Sequence, residues 1–224
     1  MKKIIIAILI ILCMTSICEA TTLSAVRARV RELLYETDEV NTIYSNTLLN
    51  EAINEGQYML LDILPSSANY NMKTTSSITL VSGTSAYSLP TDFRTIISSS
   101  ANGKPIIQLR EEEFFGKYVN ATTKDPMFCI FNNKINVYPN TLTGTLEIMY
   151  MKQPTLMTAD TNSITLLSEF DRLIALAATI YVLRIDGQTV RSEAIARQFL
   201  DEVAMKAGVY LNTNSVNKKQ GAAQ

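Results

Sequence analysis

Glu111, Glu112 and Glu113 are the one dense run of acidic side chains in the sequence. Carboxylates at close quarters are what glycoside hydrolysis uses, but a glycosidase sets two of them across a substrate, from separate elements. Three consecutive glutamates opening a short helix are accounted for by the partial positive charge at a helix N-terminus. Asp160, with Thr161 to Ser163, offers oxygens to calcium without the ligand spacing of a calcium loop. Histidine is absent from the chain. That removes Ser-His-Asp and Cys-His catalysis, imidazole metal ligation and the ordinary imidazole pH switch. The cysteines are Cys13, Cys18 and Cys129, the first two inside an apolar leader. A chain processed behind that leader keeps Cys129 alone, with no internal disulfide and no thiolate metal site. No glycine-rich phosphate loop is present. The residues therefore assign no catalytic, cofactor-binding or metal site, and a non-enzyme without a cofactor is expected.

The elements that would carry these residues follow from composition and periodicity. A chain of 224 residues with 47% apolar side chains has the make-up of a globular protein. Its formal net charge of −1 argues against holding nucleic acid by bulk charge. At the start, Lys2 and Lys3 precede the apolar run Ile4 to Met14. Cys18 and Ala20 then stand at the −3 and −1 positions of a cleavage site. This leader, residues 1–20, has the layout of a secretory signal and is too short to span a membrane. A start of translation at Met14 is the competing reading.

Thr22 is expected to cap a helix with Leu23, Val26, Val30, Leu33 and Leu34 on one stripe. Arg27, Arg31 and Arg29 flank that stripe and read as a solvated surface. Glu36 to Thr42 reads as a connector. Ser45 caps a second helix whose broad apolar face runs from Leu48 to Ile63; Gly56, within that face, lets a neighbouring element approach closely. Pro65 ends it. From Ile78 the pattern changes to short strands. Tyr87-Ser88-Leu89-Pro90-Thr91-Asp92-Phe93 reads as a strand end and compact corner. Pro90 ends the ladder and Asp92 bonds its own backbone. Asn102-Gly103 and Asn132-Asn133 mark hairpin turns. Glu111 to Tyr118 reads as a short helix burying Phe114, Phe115 and Tyr118. Thr145 to Lys152 is expected to turn Leu146, Ile148 and Tyr150 to one face. Ser168-Glu169-Phe170-Asp171 opens a central helix, apolar on two sides. After the Asp186-Gly187-Gln188 turn, Thr189 caps a last helix that buries Phe199, Leu200 and Val203 and ends at Gly208. The expected architecture is α+β: a four-helix body (22–64 and 168–208) with a small, mostly antiparallel β insertion (77–152). It forms one domain, 21–211, followed by a polar flexible tail, 212–224.

The order of these motifs resembles one known family. Thr22-Leu23 with Val26-Arg27 and Val30-Arg31, then Tyr44-Ser45 before Leu48-Leu49 and Ile53-Asn54-Glu55, resemble the N-terminal helices of tailed-phage head-to-tail adaptor (connector) proteins. The Tyr87-to-Phe93 turn, Asn102-Gly103-Lys104-Pro105-Ile106, Val137-Tyr138-Pro139, Glu147-Ile148-Met149-Tyr150, Gln153-Pro154 with Leu156, and Leu167-Ser168-Glu169-Phe170 follow in the family's order. The resemblance spans roughly residues 22 to 210. It implies a non-enzymatic virion part, assembled in the host cytoplasm as a ring of about twelve copies beneath the portal. The ring extends the channel through which DNA passes without sequence-specific binding, and it docks tail proteins. The leader departs from this pattern, because an exported subunit cannot join a particle assembled in the cytoplasm. A secreted or periplasmic non-enzymatic binding or surface protein is the alternative.

Overall fold

The computed structural model describes residues 21–36, 42–65, 68–118 and 125–221. The leader, residues 1–20, lies outside them. The chain divides into two units, Met1–Ala68 with Thr155–Gln224, and Asn69–Pro154.

The first unit is helical. Its helix α1, Leu23–Leu34, starts where the Thr22 hydroxyl accepts the Ala25 N–H at 3.3 Å. Leu23, Val26, Val30 and Leu34 are buried along one stripe. Helix α2, Asn46–Ile63, starts where the Ser45 hydroxyl accepts the Leu48 N–H at 3.2 Å. Both caps satisfy amide donors that a helix start leaves free. Helix α4, Asp171–Ile185, follows a 3-10 turn at Ser168–Phe170 and is the centre of the unit, packing against α1, α2 and the last helix. Its residues Leu173 to Ile180 are all buried, so its apolar surface must be covered from several sides. Helix α2 comes close to α4 at Gly56. A Cβ built there stands 3.0 Å from the Ile174 carbonyl oxygen and 3.3 Å from the Ala177 Cβ. The glycine is the condition for α2 and α4 to touch backbone to backbone.

Helix α5 runs from Thr189 to Gly221. It passes through Gly208, expected from sequence as its end, and across the segment read as a polar flexible tail. Phe199 and Val203 are buried as expected, whereas Leu200 is exposed.

The second unit, Asn69–Pro154, is built from two sheets. Strands β1 (Lys73–Leu80), β3 (Phe93–Ala101), β4 (Lys104–Pro105) and β8 (Gly144–Lys152) form one, in the order β1-β8-β3-β4. Strands β2 (Ala86–Ser88), β5 (Ile107–Gln108), β6 (Met127–Phe131) and β7 (Lys134–Tyr138) form the other, in the order β2-β7-β6-β5. Every pair is antiparallel except β5 with β6, which is parallel. Leu80, Leu89, Phe128, Ile135, Leu146 and Ile148 belong to one core drawn from both sheets. On β8 the buried residues alternate as expected: Leu146, Ile148 and Tyr150 point inward. Strand β6 is buried on both faces. Phe128 belongs to the main core, while Met127 and Cys129 pack with Phe114 in a second cluster. Phe114 opens a π-helical turn, Phe114–Tyr118, after the one-turn helix α3, Glu111–Glu113.

The α+β class stands, but the expected four-helix body with a small β insertion does not. The described residues hold five helices and two four-stranded sheets. Two physical features hid this. The strand that completes the first sheet, β8, is distant in sequence from β1 and β3, between which it lies. Strands β2, β4 and β5 are two or three residues long, too short to show a period of two.

Candidate functional site

Two of the three arginines of α1, Arg27 and Arg31, are tied into the fold, while Arg29 lies exposed as expected. Arg27, expected on a solvated surface, is nine-tenths buried; it donates to Asp160 Oδ1 at 2.8 Å and to Asn50 Oδ1 at 2.9 Å. Asp160, considered for calcium, is thereby an ion-pair partner. Its loop also closes the start of α1: Leu23 N–H donates to the Asn162 carbonyl at 2.8 Å and Ser24 N–H to the Asp160 carbonyl at 3.3 Å. Asn162 Oδ1 accepts from the Thr158 and Ala159 amides at 2.9 Å each, which sets the loop's shape.

At the other end of α1, Arg31 donates to Glu36 Oε2 at 2.6 Å, to the Tyr44 carbonyl at 3.1 Å and to Asn46 Oδ1 at 2.7 Å. The Glu36 side chain is 5% exposed, and its Oε1 accepts the Ile43 and Tyr44 amides. The Tyr44 hydroxyl donates to Asp186 Oδ2 at 2.7 Å. Burial, then that bond, pushes the Tyr44 phenol up to about 12. The same bond, with one from Gln188, holds the Asp186 carboxyl below its usual range. Arg191 donates to the Leu33 carbonyl at 2.7 Å and lies 4.6 Å from the ring centroid of Tyr35. One end of the helical unit is thus a network of ion pairs and hydrogen bonds joining α1, α2 and the α4–α5 turn.

The surface these locks leave is apolar in places. Tyr35 holds a left-handed backbone (φ 62°) and is 83% exposed; Ile43 and Val190 are exposed at the same level. Met59, Ala177, Ile180, Tyr181 and Ile185 line a hollow between α2 and α4, with Arg184 at its margin. Leu200 and Met205 stand out from α5. In the second unit Ile107, Phe115 and Phe131 are exposed, the last two rings edge to face at 5.6 Å.

The sequence candidates for chemistry are not brought together. Glu111, Glu112 and Glu113 are all exposed on α3. Cys129 is buried, and burial together with nearby Glu111 pushes its thiol up to about 11, which leaves an unreactive thiol. Among the described residues no group of three acidic or thiol side chains could hold a metal ion. At the Tyr87-to-Phe93 corner the turn is closed by the backbone, Phe93 N–H to the Pro90 carbonyl at 3.0 Å. Asp92, expected to bond its own backbone, accepts instead from the Tyr150 hydroxyl at 2.8 Å. The Tyr87 hydroxyl accepts the Val81 N–H at 2.9 Å and holds the preceding turn.

Sequence reasoning missed every partner in these locks. Several pair residues far apart in the chain, such as Arg27 with Asp160, which only the order of elements could have hinted at; Arg31 with Glu36 is a local pair, five residues apart. No curated protein matches the chain. A family model does match, that of the SU10 adaptor protein, over residues 21–216. That interval takes in almost every residue described above, so the chain belongs to the SU10 adaptor protein family, a family of phage structural adaptors.

Proposed function

We propose that the chain is a head-to-tail adaptor of a tailed phage. Copies of it form a ring of about twelve beneath the portal. The ring extends the DNA channel without reading sequence and presents a surface to which tail proteins dock. The observation that carries this reading is the family match running across both units, from residue 21 to residue 216. Two features of the molecule support it. The helical unit exposes large apolar side chains on different helices, Tyr181 and Ile185 on α4 and Leu200 and Met205 on α5. Contacts between unlike surfaces are what a ring requires. The near-zero net charge suits a channel through which DNA must slide. The role is structural and not catalytic, and its place is the virion.

Purified protein, alone and mixed with the portal protein of the same phage, tests this by electron microscopy and native mass. Rings of defined copy number that cap portal rings support the proposal. A monomer that leaves the portal bare at micromolar concentration contradicts it.

A further inference from the structure

The helical unit carries two hollows on its central helix. The one between α2 and α4 is apolar, with Met59, Tyr181 and Ile185 exposed around it and Arg184 at its margin. The other lies between α1 and α4 and is lined by Arg29, Glu32, Leu33, Arg172, Ala175 and Leu176. A helix turns by about 100° per residue, so the α4 residues of the two hollows face directions about 150° apart. The charges beside these hollows differ from the others of the unit. Arg27, Arg31, Arg172 and Arg191 are each engaged within the chain. Arg29, Glu32, Glu55 and Arg184 are exposed, and among the described residues none of the four has an ion-pair partner. Arg29 reaches buried Asp171 only through its field. Each face thus holds one unpaired positive and one unpaired negative charge: Glu55 and Arg184 on the first, Arg29 and Glu32 on the second.

We propose that these two faces are the lateral contact between successive copies of this chain, the α2–α4 hollow of one copy meeting the α1–α4 face of the next with α4 along the ring axis. This contact rests on the ring reading above and names its surfaces. Glu55 of one copy pairs with Arg29 of the next, and Arg184 with Glu32. Their levels along α4 agree. Glu55 precedes Gly56, which meets Ile174 and Ala177, and Arg29 shares its hollow with Ala175 and Leu176. Helix α1 runs the same way as α4: Thr21 bonds Asp171 at the start of α4, and Arg191, just past its end, bonds the Leu33 carbonyl. Glu32 therefore lies beyond Arg29 in the direction of Arg184. A contact between unlike faces does not stop at two copies; it continues into a ring or a filament. Faces about 150° apart turn each copy by about 30° from the last, which closes after about twelve copies. Opposite charges beside an apolar hollow fix the register of such a contact and reject wrong ones.

Charge reversal tests the pairing, with rings counted by electron microscopy and native mass in the presence of the portal protein. Arg184→Glu and Glu32→Arg should each raise the concentration needed for rings by about tenfold or more, because each sets like charges against one another. The double variant Arg184→Glu with Glu32→Arg rebuilds every contact with its signs exchanged, and it should recover the parent's concentration dependence. Glu55→Arg and Arg29→Glu should behave in the same way, singly and together. All four positions are exposed, so the melting curve of each variant should match that of the parent. Single variants that form rings as readily as the parent, or a defect that the double variant does not repair, overturn the pairing and leave the ring standing. Variants that keep the ring but no longer cap the portal assign the face to the portal and also overturn it. A parent that never forms rings overturns the ring reading and this contact together.

Discussion

Glu36 shows how much one side chain carries in this fold. Its carboxylate neutralises Arg31 and accepts two backbone amides, and it is buried while doing so. Glu36→Ala should cost about 3 kcal/mol, because it removes the only carboxylate paired with the largely buried Arg31 guanidinium, leaving it the Tyr44 carbonyl and Asn46, and strips two amides of their acceptor. Urea unfolding measures this, with an unchanged slope expected. The tyrosines of the two units give a matching pH signature. Burial pushes Tyr150 up to about 12, as it does Tyr44, and the Asp92 bond adds to it. A phenol whose folded value is raised stabilises fully below its unfolded value, near 10. That stability is lost as pH rises from about 10 through 12. Unfolding free energy should be insensitive to these groups below pH 10 and fall steeply above it, less steeply in Tyr150→Phe. Asp92→Ala, which strands the Tyr150 hydroxyl, should cost about 1–2 kcal/mol, read from the same urea curves. None of these pairs was legible in the sequence: Arg31 reads as a solvated helix residue, Glu36 as a connector, Asp92 as a turn residue bonding its own backbone and Tyr150 as a strand residue, until the fold joins them.

Among elements, the contact of α2 with α4 is the one that tolerates least change. Gly56 was legible as a close approach, because a glycine weakens a helix and, inside an apolar face, contributes only the space its missing side chain frees. Gly56→Val adds three carbons where the first already stands 3.0 Å from the Ile174 carbonyl oxygen. It should destabilise by about 3 kcal/mol or more and loosen α2 from α4, visible as faster amide exchange in both helices. Helix caps at Thr22 and Ser45 and the hairpin turns at Asn102-Gly103 and Asn132-Asn133 were likewise readable. Each depends on local stereochemistry: a side-chain oxygen at a helix start, or a residue that accepts positive φ. The sheets were not, because which strand lies beside which is decided by packing across the whole unit. Strand β8 inserting between β1 and β3 leaves no local mark.

For the whole molecule, what the chain lacks and the order of its motifs were more informative than any single residue. A sequence without histidine, and without facing carboxylates, gave no chemistry to pursue, and the succession of weak motifs pointed to a phage adaptor. The family match over residues 21–216 agrees with that coarse reading. The assembled ring is the central claim, and the native mass of the purified protein mixed with its portal tests it most directly. A single stoichiometric complex holding about twelve copies, broken to monomers by a charged substitution in the α2–α4 hollow such as Ile185→Glu, is the result expected. A parent protein that stays monomeric beside an intact portal ring would contradict it.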